Sequence, residues 1–467
     1  MTETGAGGSA NTVDANDDFR KWFVLIAIGI GTFMSALDGS IVNTILPIVR
    51  DTFNESIALS EWVVLIYLLV VSGLLLTFGR LGDLRGNRPV YLTGFFIFVI
   101  ASALCGLSPS LGWLIAFRGM QAIGAAMLFS SSPAILTRSF PPSQRGRALG
   151  LQALMTYLGL TVGPALGGWL TQTFSWRAVF YINVPVGLLA LTLCWIFVPR
   201  KHEPRAESFD VAGAVLFFAG LVSLLLALNN GQEWGWTTWP VLGLFAVAIA
   251  LLGAFILVER RVRAPMLDLT LFSSPVFSAA TISAVLNYVA LYMILFLLPF
   301  YLLQGRSLTP SQAGLILTAQ PIAMAIAAPL SGTFSDRIGT RWPAMVGMVV
   351  LAAGLVGLAQ ITATTPLEWI AAGMAVCGLG TGMFASPNNS ALMGAATRHR
   401  QGIASGILAT ARNVGMVLGI GIAGAILTTY AAVDATHSIF LAIPAGFLTA
   451  AAMALGAGVA AAARGRA

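Results

Sequence analysis

PVYLTGFFIFVIASALCGL, residues 89–107, is an apolar run without one charged side chain. A helix that spans a bilayer needs about 20 such residues. Backbone polar groups inside lipid can be satisfied only in a helix or in a closed barrel, and the alternating pattern of a barrel strand is missing from this run. The stretch therefore predicts a transmembrane helix, and its repetition elsewhere decides the fold.

The pattern recurs along nearly the whole chain, which is 57% hydrophobic and only 9% charged over 467 residues. A soluble domain carries about 25% charged residues. The predicted spans are 21–48, 60–79, 88–107, 111–137, 147–171, 178–198, 210–228, 240–258, 276–303, 312–334, 343–361, 367–393, 402–428 and 438–461. An all-α integral membrane protein with fourteen spans is expected. Residues 210–258 leave two alternatives open, because a polar and Trp-rich segment divides them: the pair crosses the bilayer or lies in its interface.

The basic residues are distributed by topology. With the N-terminus inside, the internal segments hold 20 of the 25 Lys and Arg residues and the external segments hold 3. Such an excess marks the cytoplasmic side of a membrane protein, so both termini are expected in the cytoplasm, at a bacterial-type inner (plasma) membrane. The net charge of +7 is then topological and indicates no nucleic-acid partner. The three cysteines lie in apolar runs without metal-binding spacing.

Two loops repeat each other. GRLGDLRGNRPV (79–90) follows the second span and SGTFSDRIGTRWP (331–343) follows the tenth, and both read Gly, a short spacer, Asp-x-x-Gly and a basic residue. Duplicated halves are common in transporters. The predicted organisation is a tail (1–20), a six-helix bundle (21–200), an inserted helix pair with linkers (201–268), a second six-helix bundle (269–461) and a tail (462–467).

Asp38, in LDGSIVNTILP (37–47), is the one acidic residue that lies away from the ends of the predicted spans. A charge at that depth costs about 3 kcal/mol on insertion scales, so such residues are usually functional. A single carboxylate there is a natural proton carrier, and the alternative is a structural partner for a basic residue. Loop acids such as Asp83 are expected to face water.

Arg118, in AFRGMQAIGAAM (116–127), is the expected partner of Asp38. Gln121 is three residues further along and shares its helix face. The alternative is that Arg118 extends to the nearby membrane interface. In GLTVGPALGG (159–168), Pro164 removes a backbone donor and bends the helix, while Gly163 and Gly167 permit close helix contact. The residues alone indicate packing as the role of that segment.

Together these segments resemble the major facilitator superfamily, specifically its fourteen-helix drug:proton antiporter branch. GRLGDLRGNRPV is similar to the loop signature between the second and third helices, and RGMQAIGAA to the fourth-helix signature, with Ala122 where Gly is usual. GLTVGPALGG resembles the antiporter signature of the fifth helix, and LDGSIVNTILP a first-helix signature. WRAVFYINVPVG (176–187) and ERRVRAPMLDLTLF (259–272) also match. The short link between the last two spans departs from some relatives.

The resemblance implies roles for individual residues. Asp38 would bind the proton and Arg118 would modulate it. A gating loop would use Asp83 against a helix N-terminus of the other half, with Asp336 and Arg337 as a weaker copy. The other gating residues are Gly79, Arg80, Arg85, Gly86 and Arg88. The antiporter motif would seal the interface between the halves through Gly159, Gly163, Pro164, Gly167 and Gly168.

Polar and aromatic residues of the central spans are the candidate substrate contacts. They are Tyr67, Gln121, Tyr157, Asn287, Tyr288, Tyr292, Gln320, Asn388 and Arg412. For Arg412 two roles stay open, since it either pairs with a substrate anion or caps a helix end.

The expected function is proton-coupled antiport that exports amphipathic small molecules, such as drugs, by alternating access. No cofactor, catalytic residue or metal site is expected, and the partners are protons, the substrate and the bilayer around a monomer. The sequence contains no P-loop, which disfavours ATP as the energy source. A proton symporter for a small nutrient is the first alternative. An intramembrane sensor or enzyme is the second, although an enzyme needs clustered reactive side chains within the spans.

Overall fold

The protein is described by a computed structural model that covers residues 11–464 except 56, 201–208, 263–264, 266, 268, 309, 398–399 and 434–437. The predicted tails and the linker after residue 200 therefore lie partly or wholly outside the described residues. The helices are α1 (Asn11–Phe53), α2 (Ile57–Arg85), α3 (Asn87–Leu107), α4 (Leu111–Ser139), α5 (Arg145–Thr173), α6 (Ala178–Tyr181), α7 (Asn183–Phe197), α8 (Val211–Trp234), α9 (Trp239–Glu259), α10 (Pro275–Phe300), α11 (Pro310–Leu317), α12 (Ala319–Ile338), α13 (Arg341–Leu358), α14 (Leu367–Ala395), α15 (Gln401–Val433) and α16 (Ser438–Ala462).

Within the described residues, thirteen segments are long and apolar enough to cross a membrane. A fourteenth follows if the bent pair Pro142–Gly163 and Ala165–Thr173 counts as one span. The predicted all-α membrane fold is thereby confirmed. The inserted segments Val211–Leu228 and Trp239–Glu259 are both among the thirteen, so both have the length and composition to cross.

Several helices extend beyond the predicted spans. The second helix continues to Arg85, so Gly79, Arg80 and Asp83 lie on α2 and not in a loop, and the chain turns at Gly86 with φ of 97°. Asp336 likewise lies on the last turn of α12. The correction has a physical reason: a helix satisfies its own backbone groups in any solvent, so it need not stop where the apolar run stops.

Helices of each half pack mainly on one another. In the first half α1 lies on α5, and α4 lies on both α2 and α3. In the second half α14 lies on α12 and α13, and α10 lies on α15 and α16. The halves meet where α5 contacts α12 and where α2 contacts α15, and the inserted helix α8 packs on α9, α2 and α15. The helices that join the halves therefore also carry the predicted gating residues.

Candidate functional site

Asp38 of α1 and Arg118 of α4 form a buried ion pair. An Nη1 atom of Arg118 lies 2.6 Å from Oδ2 of Asp38, and the two side chains are 1% and 0% exposed. This geometry favours the predicted pairing over an interfacial position for Arg118. The helix α4 is held closely against α3, since a Cβ added at Gly124 would lie 2.7 Å from the Gly94 carbonyl oxygen.

Two amide side chains complete the surroundings of the carboxylate. Gln121 donates to Oδ1 of Asp38 at 3.0 Å and to the Ser102 hydroxyl at 2.7 Å, and its own oxygen accepts from Arg118 at 2.6 Å. Asn183, the first residue of α7, donates to the same Oδ1 atom at 2.9 Å. Donors from α4 and α7 therefore hold the Asp38 carboxylate in place.

The other side of the Arg118 guanidinium faces aromatic rings. Its Nε donates to the Val63 carbonyl at 3.2 Å, and its Cζ lies 4.2 Å from the Tyr67 ring centroid and 6.0 Å from that of Phe180. Such cation–π contacts stabilise a desolvated guanidinium. The Tyr67 hydroxyl is buried without a hydrogen-bond partner.

Sequence reasoning missed Ser102 and Asn183. The signal for Asn183 was available, because it is a polar residue in the quoted segment WRAVFYINVPVG and lies inside the mostly apolar predicted span 178–198. Its separation of 145 positions from Asp38 left no local spacing rule that could join the two residues. Ser102 gave no signal, since hydroxyls are common in membrane helices and usually bond to their own backbone.

The antiporter motif lies elsewhere than expected. A Cβ on Gly167 would lie 2.6 Å from Cγ1 of Ile41, and one on Gly163 would collide with Ser40. Both neighbours belong to α1, so the expectation that this motif joins the two halves is wrong. The helices α1 and α5 cross so closely that only glycine fits at their contact, and this contact lies within one turn of Asp38.

Other motif residues fit the same picture. Gly159 faces the Phe33 carbonyl of α1, whereas a Cβ at Gly168 would meet nothing within 4 Å. At Pro164 the two parts of α5 are bent by 44°. The half-to-half contact uses the beginning of α5 instead, where a Cβ on Gly150 would lie 2.7 Å from the Ala328 carbonyl oxygen of α12.

Asp83 bridges the two halves. Its Oδ1 accepts the Gly402 amide at 2.7 Å and its Oδ2 accepts the Ile403 amide at 2.8 Å, while Arg138 of α4 approaches Oδ1 at 3.1 Å. Asp83 is only 4% exposed, so the expectation that it faces water is wrong. The first turn of α15 has amides without helical partners, and a carboxylate at that positive end is favourable.

Asp336 makes the reciprocal contact. Its Oδ1 accepts the Gly146 amide at 2.8 Å and its Oδ2 accepts the Arg147 amide at 2.9 Å, both in the first turn of α5. Each half thus contributes one carboxylate to the N-terminus of a helix in the other half. We call these contacts the Asp83 latch and the Asp336 latch, and the part of the molecule that contains them the latch end.

Glycines bring the backbones together at each latch. A Cβ on Gly79 would collide with the Gly402 carbonyl, and one on Gly402 with the Gly79 carbonyl. At the other latch, a Cβ on Gly332 would collide with the Gly146 carbonyl oxygen, and one on Gly146 would lie 2.5 Å from the Gly332 carbonyl oxygen. The backbones of the two halves therefore approach each other directly at these glycines.

The predicted gating arginines are only partly at the latches. Arg80 lies close enough to Asp83 to interact with it electrostatically. Arg85 and Arg337 are exposed, and Arg88 donates to the Trp195 carbonyl at 2.6 Å. Arg138, which sequence reasoning did not select, makes the ion pair with Asp83.

A central aromatic site lies between the halves, formed by Phe129, Tyr157, Tyr288, Tyr292 and Arg412. Tyr157 of α5 packs with Tyr288 and Tyr292 of α10 beside Met324. The guanidinium carbon of Arg412 lies 4.9 Å from the Phe129 ring centroid, and the group is close enough to all three tyrosines to interact electrostatically. Four of the predicted substrate contacts therefore come together here.

The remaining predicted substrate contacts lie apart. Tyr67 and Gln121 belong to the Asp38 network. Asn287 and Gln320 are buried, with an unpaired oxygen on Asn287 and both amide atoms of Gln320 unpaired.

Asn388 also lies away from the central aromatic site. It donates to the Ala280 carbonyl at 3.1 Å, and its oxygen accepts from Arg464. Arg464 follows the last helix, and burial lowers its pKa to about 10. Asn388 thus contacts the end of the second bundle.

Comparison with known proteins agrees with this architecture. The sequence profile of the Major Facilitator Superfamily matches residues 28–285 and 280–465. The chain is 38% identical to the riboflavin transporter RibZ of Clostridioides difficile, over 86% of this chain and 87% of that protein. It is 34% identical to the multidrug resistance protein Stp of Mycobacterium tuberculosis, over 90% of this chain and 78% of that protein.

Among solved structures, the human organic anion transporter MFSD10 superposes with a TM-score of 0.70 at 16% identity, over 94% of this chain and 99% of that one. That likeness concerns the fold. The profile match covers nearly the whole length, and the two helical halves are those of a transporter rather than an enzyme. The chain belongs to the Major Facilitator Superfamily and is a multi-pass membrane protein that carries small molecules.

Proposed function

We propose that the protein is a proton-coupled antiporter that exports amphipathic small molecules by alternating access. The observation that carries the proposal is Asp38, a fully buried carboxylate paired with Arg118 and bonded to two amide side chains. Burial of a carboxylate at this depth costs free energy, and such residues usually serve a function. Multidrug resistance proteins among the relatives support export of drug-like molecules.

The two latches are the contacts that form and break as the two halves alternate between conformations. With the halves joined by the Asp83 latch and the Asp336 latch, the substrate path is closed at the latch end. The distribution of basic residues supports a cytoplasmic position for this end, in a plasma membrane of bacterial type. Export then requires both latches to open so that substrate enters from the cytoplasm, and the monomer is sufficient for this cycle.

The test is transport by liposomes in which the pH gradient and the membrane potential are set independently. Asp38→Asn should abolish uphill export and still permit downhill exchange, which needs no proton cycle. Asp51→Asn is the matched control, because that carboxylate is exposed and pairs with its neighbour Arg50, and it should export normally. Uphill export by Asp38→Asn would contradict the proposal.

The number of protons exchanged per substrate molecule can be measured in the same liposomes and tests the proposal more specifically. If Asp38 is the sole carrier, one proton should be exchanged per cycle. Asp83 is also buried, so it is the candidate for a second proton carrier. A coupling of two protons that falls to one in Asp83→Asn would replace the single-carrier mechanism.

A second candidate is proton symport of a small nutrient. The relative named as a riboflavin transporter favours a planar heteroaromatic substrate, and its name gives no direction of transport. In the liposome assay, symport is distinguished by substrate and protons moving the same way. A flavin accumulated together with protons would favour this candidate.

A further inference from the structure

Arg412 is a cation well inside the candidate membrane span Gln401–Leu427. It lies on α15, about 16 Å along the helix from Gln401, and its side chain is half-buried. Within the described part of the chain, no carboxylate forms an ion pair with it. Asp38, which interacts with the same Tyr67 side chain as Arg412, is already paired with Arg118. An arginine in this position is costly and usually serves transport or ligand binding.

Backbone contacts fix the surroundings of Arg412. A Cβ on Gly415 would lie 2.7 Å from Cβ of Tyr288, and one on Gly419 would lie 3.2 Å from Cβ of Tyr292. The close crossing of α15 and α10 thus sets both tyrosines beside the guanidinium. Asn413 donates to the Ser72 hydroxyl at 2.8 Å, which holds the same turn of α15 against the first half. The second alternative for Arg412, a helix cap, does not fit, because the residue lies well inside α15.

The chemistry of this cluster selects one class of ligand. A guanidinium presents a planar fork of donors that matches a carboxylate, and hydrogen bonds to ionised groups are the stronger ones. Rings from both halves supply faces on which a planar molecule can stack. Within the described residues of the central aromatic site, Arg412 is the sole charged side chain, so a cationic ligand meets repulsion without compensation.

We propose that Arg412 binds the anionic group of the substrate, and that the substrate is a planar aromatic molecule with one carboxylate or an equally acidic oxygen. This inference rests on the proposed function, because it names the substrate class of the same transport cycle. Phe129 stacks on the guanidinium, while Tyr157, Tyr288 and Tyr292 contact the aromatic frame. Tyr67 lies close enough to interact electrostatically with Arg412 and with both members of the Asp38–Arg118 pair.

The experiment measures binding to the purified full chain in nanodiscs, without any gradient. The probes are aromatic compounds of one, two and three fused rings, each prepared as the carboxylate, the neutral carboxamide and the aminomethyl cation. For at least one frame the carboxylate should bind best. Arg412→Gln should weaken binding of that carboxylate by about 10- to 100-fold, the loss typical of one charge-assisted hydrogen-bond partner. Binding of the carboxamide should change little.

Two further variants keep the outcome interpretable. Arg412→Lys retains the charge and should keep part of the preference for the carboxylate, which also covers the case that Arg412→Gln folds poorly. Arg260→Gln, at an exposed position next to α9, removes the same net charge and should leave binding unchanged. The proposal is overturned if no carboxylate binds, if the cations bind best, or if the preference survives in Arg412→Gln. Because binding needs no gradient, loss of proton-driven transport would count only against the proposed function.

Discussion

At the scale of single residues, Asp38 has its three side-chain contacts divided between its two oxygens. One oxygen faces Arg118, and the other accepts from Gln121 and Asn183. The acid and its cation could be predicted from the sequence because charged residues inside apolar runs are rare. Asn183 could not, since an amide in a membrane helix gives no indication of its partner. Protonation of Asp38 changes one acceptor oxygen into a donor, so at least one of these contacts has to be exchanged during the cycle.

Arg118→Ala should slow export by about tenfold or more, because it removes a charge-assisted partner of the carboxylate. Without the cation the ionised form of the acid is less favourable, so proton release should stall. Export should recover in part when the pH is raised on the side of release. The measurement is the pH profile of export in liposomes.

Arg118→Lys serves as the comparison, since it retains the cation without the planar fork, and its pH profile should lie closer to that of the unmodified protein. Normal export with an unchanged pH profile in Arg118→Ala would show that the pair has no part in coupling.

At the scale of helices, the sequence located the elements well and their ends less well. The apolar runs predicted each span, whereas α2 and α12 continue past them through the two repeated signatures. The glycines of α5 show the same limit. Their spacing predicts close contact, but only the three-dimensional structure identifies α1 as the neighbour of Gly163 and Gly167. The beginning of α5, which carried no such signature, faces the other half.

The two sides of the α5 motif allow a matched pair of variants. Gly167→Leu should insert normally and export poorly, because the new side chain would wedge α5 away from Ile41, which lies one turn from Asp38. Gly168→Leu should export normally, since a Cβ there meets nothing within 4 Å. The measurement is export at equal amounts of protein in the membrane. Equal activity of the two variants would separate the motif from transport.

The latches can be tested through a buried serine. Ser386 of α14 donates to the Gly146 carbonyl at 2.7 Å, so Ser386→Cys places a thiol at the interface between the halves. The native cysteines are buried and are replaced in this background. Asp83→Asn and Asp336→Asn should each increase labelling by a membrane-impermeant maleimide added from the latch side.

In the double variant, the change in the free energy of opening should equal the sum of the changes in the two single variants. The two latches share no residues, and the effects of independent sites are usually additive. Asp51→Asn is the control with no expected change. Labelling that stays constant in all three latch variants would mean that the carboxylates do not hold the halves together.

At the scale of the whole molecule, the repeated signatures predicted two related halves, and the reciprocal latches are the structural form of that repetition. The sequence also marked the inserted pair, because six spans counted from each end of the chain leave residues 210–258 between the two bundles. It could not show that α8 lies on both α2 and α15, because an apolar surface packs equally well on lipid or on another helix. The insert therefore contacts both halves and has to follow or restrain their movement.

The proposed roles of Asp38 in proton binding and of Arg412 in anion binding together predict the charge moved per cycle. If one proton enters for each monoanion that leaves, two positive charges in effect move inward per cycle. A potential of 100 mV then contributes about 4.6 kcal/mol, twice the value for one charge. Solid-supported-membrane recordings should show a transient inward positive current when an aromatic carboxylate is exported. The current should be halved per molecule for the neutral carboxamide and absent in Asp38→Asn. Equal currents for both probes would contradict anion export.

The glycine crossings at the latches have a thermodynamic consequence. Where Gly79 meets Gly402, and where Gly146 meets Gly332, separation exposes peptide groups and carboxylates to water instead of apolar side chains. Heat capacity rises when apolar surface is hydrated and falls when polar surface is hydrated. Opening at these points should therefore carry a heat-capacity change near zero or negative. Its equilibrium should follow a nearly straight van't Hoff plot, so a single enthalpy should describe the balance between the two conformations at every temperature measured.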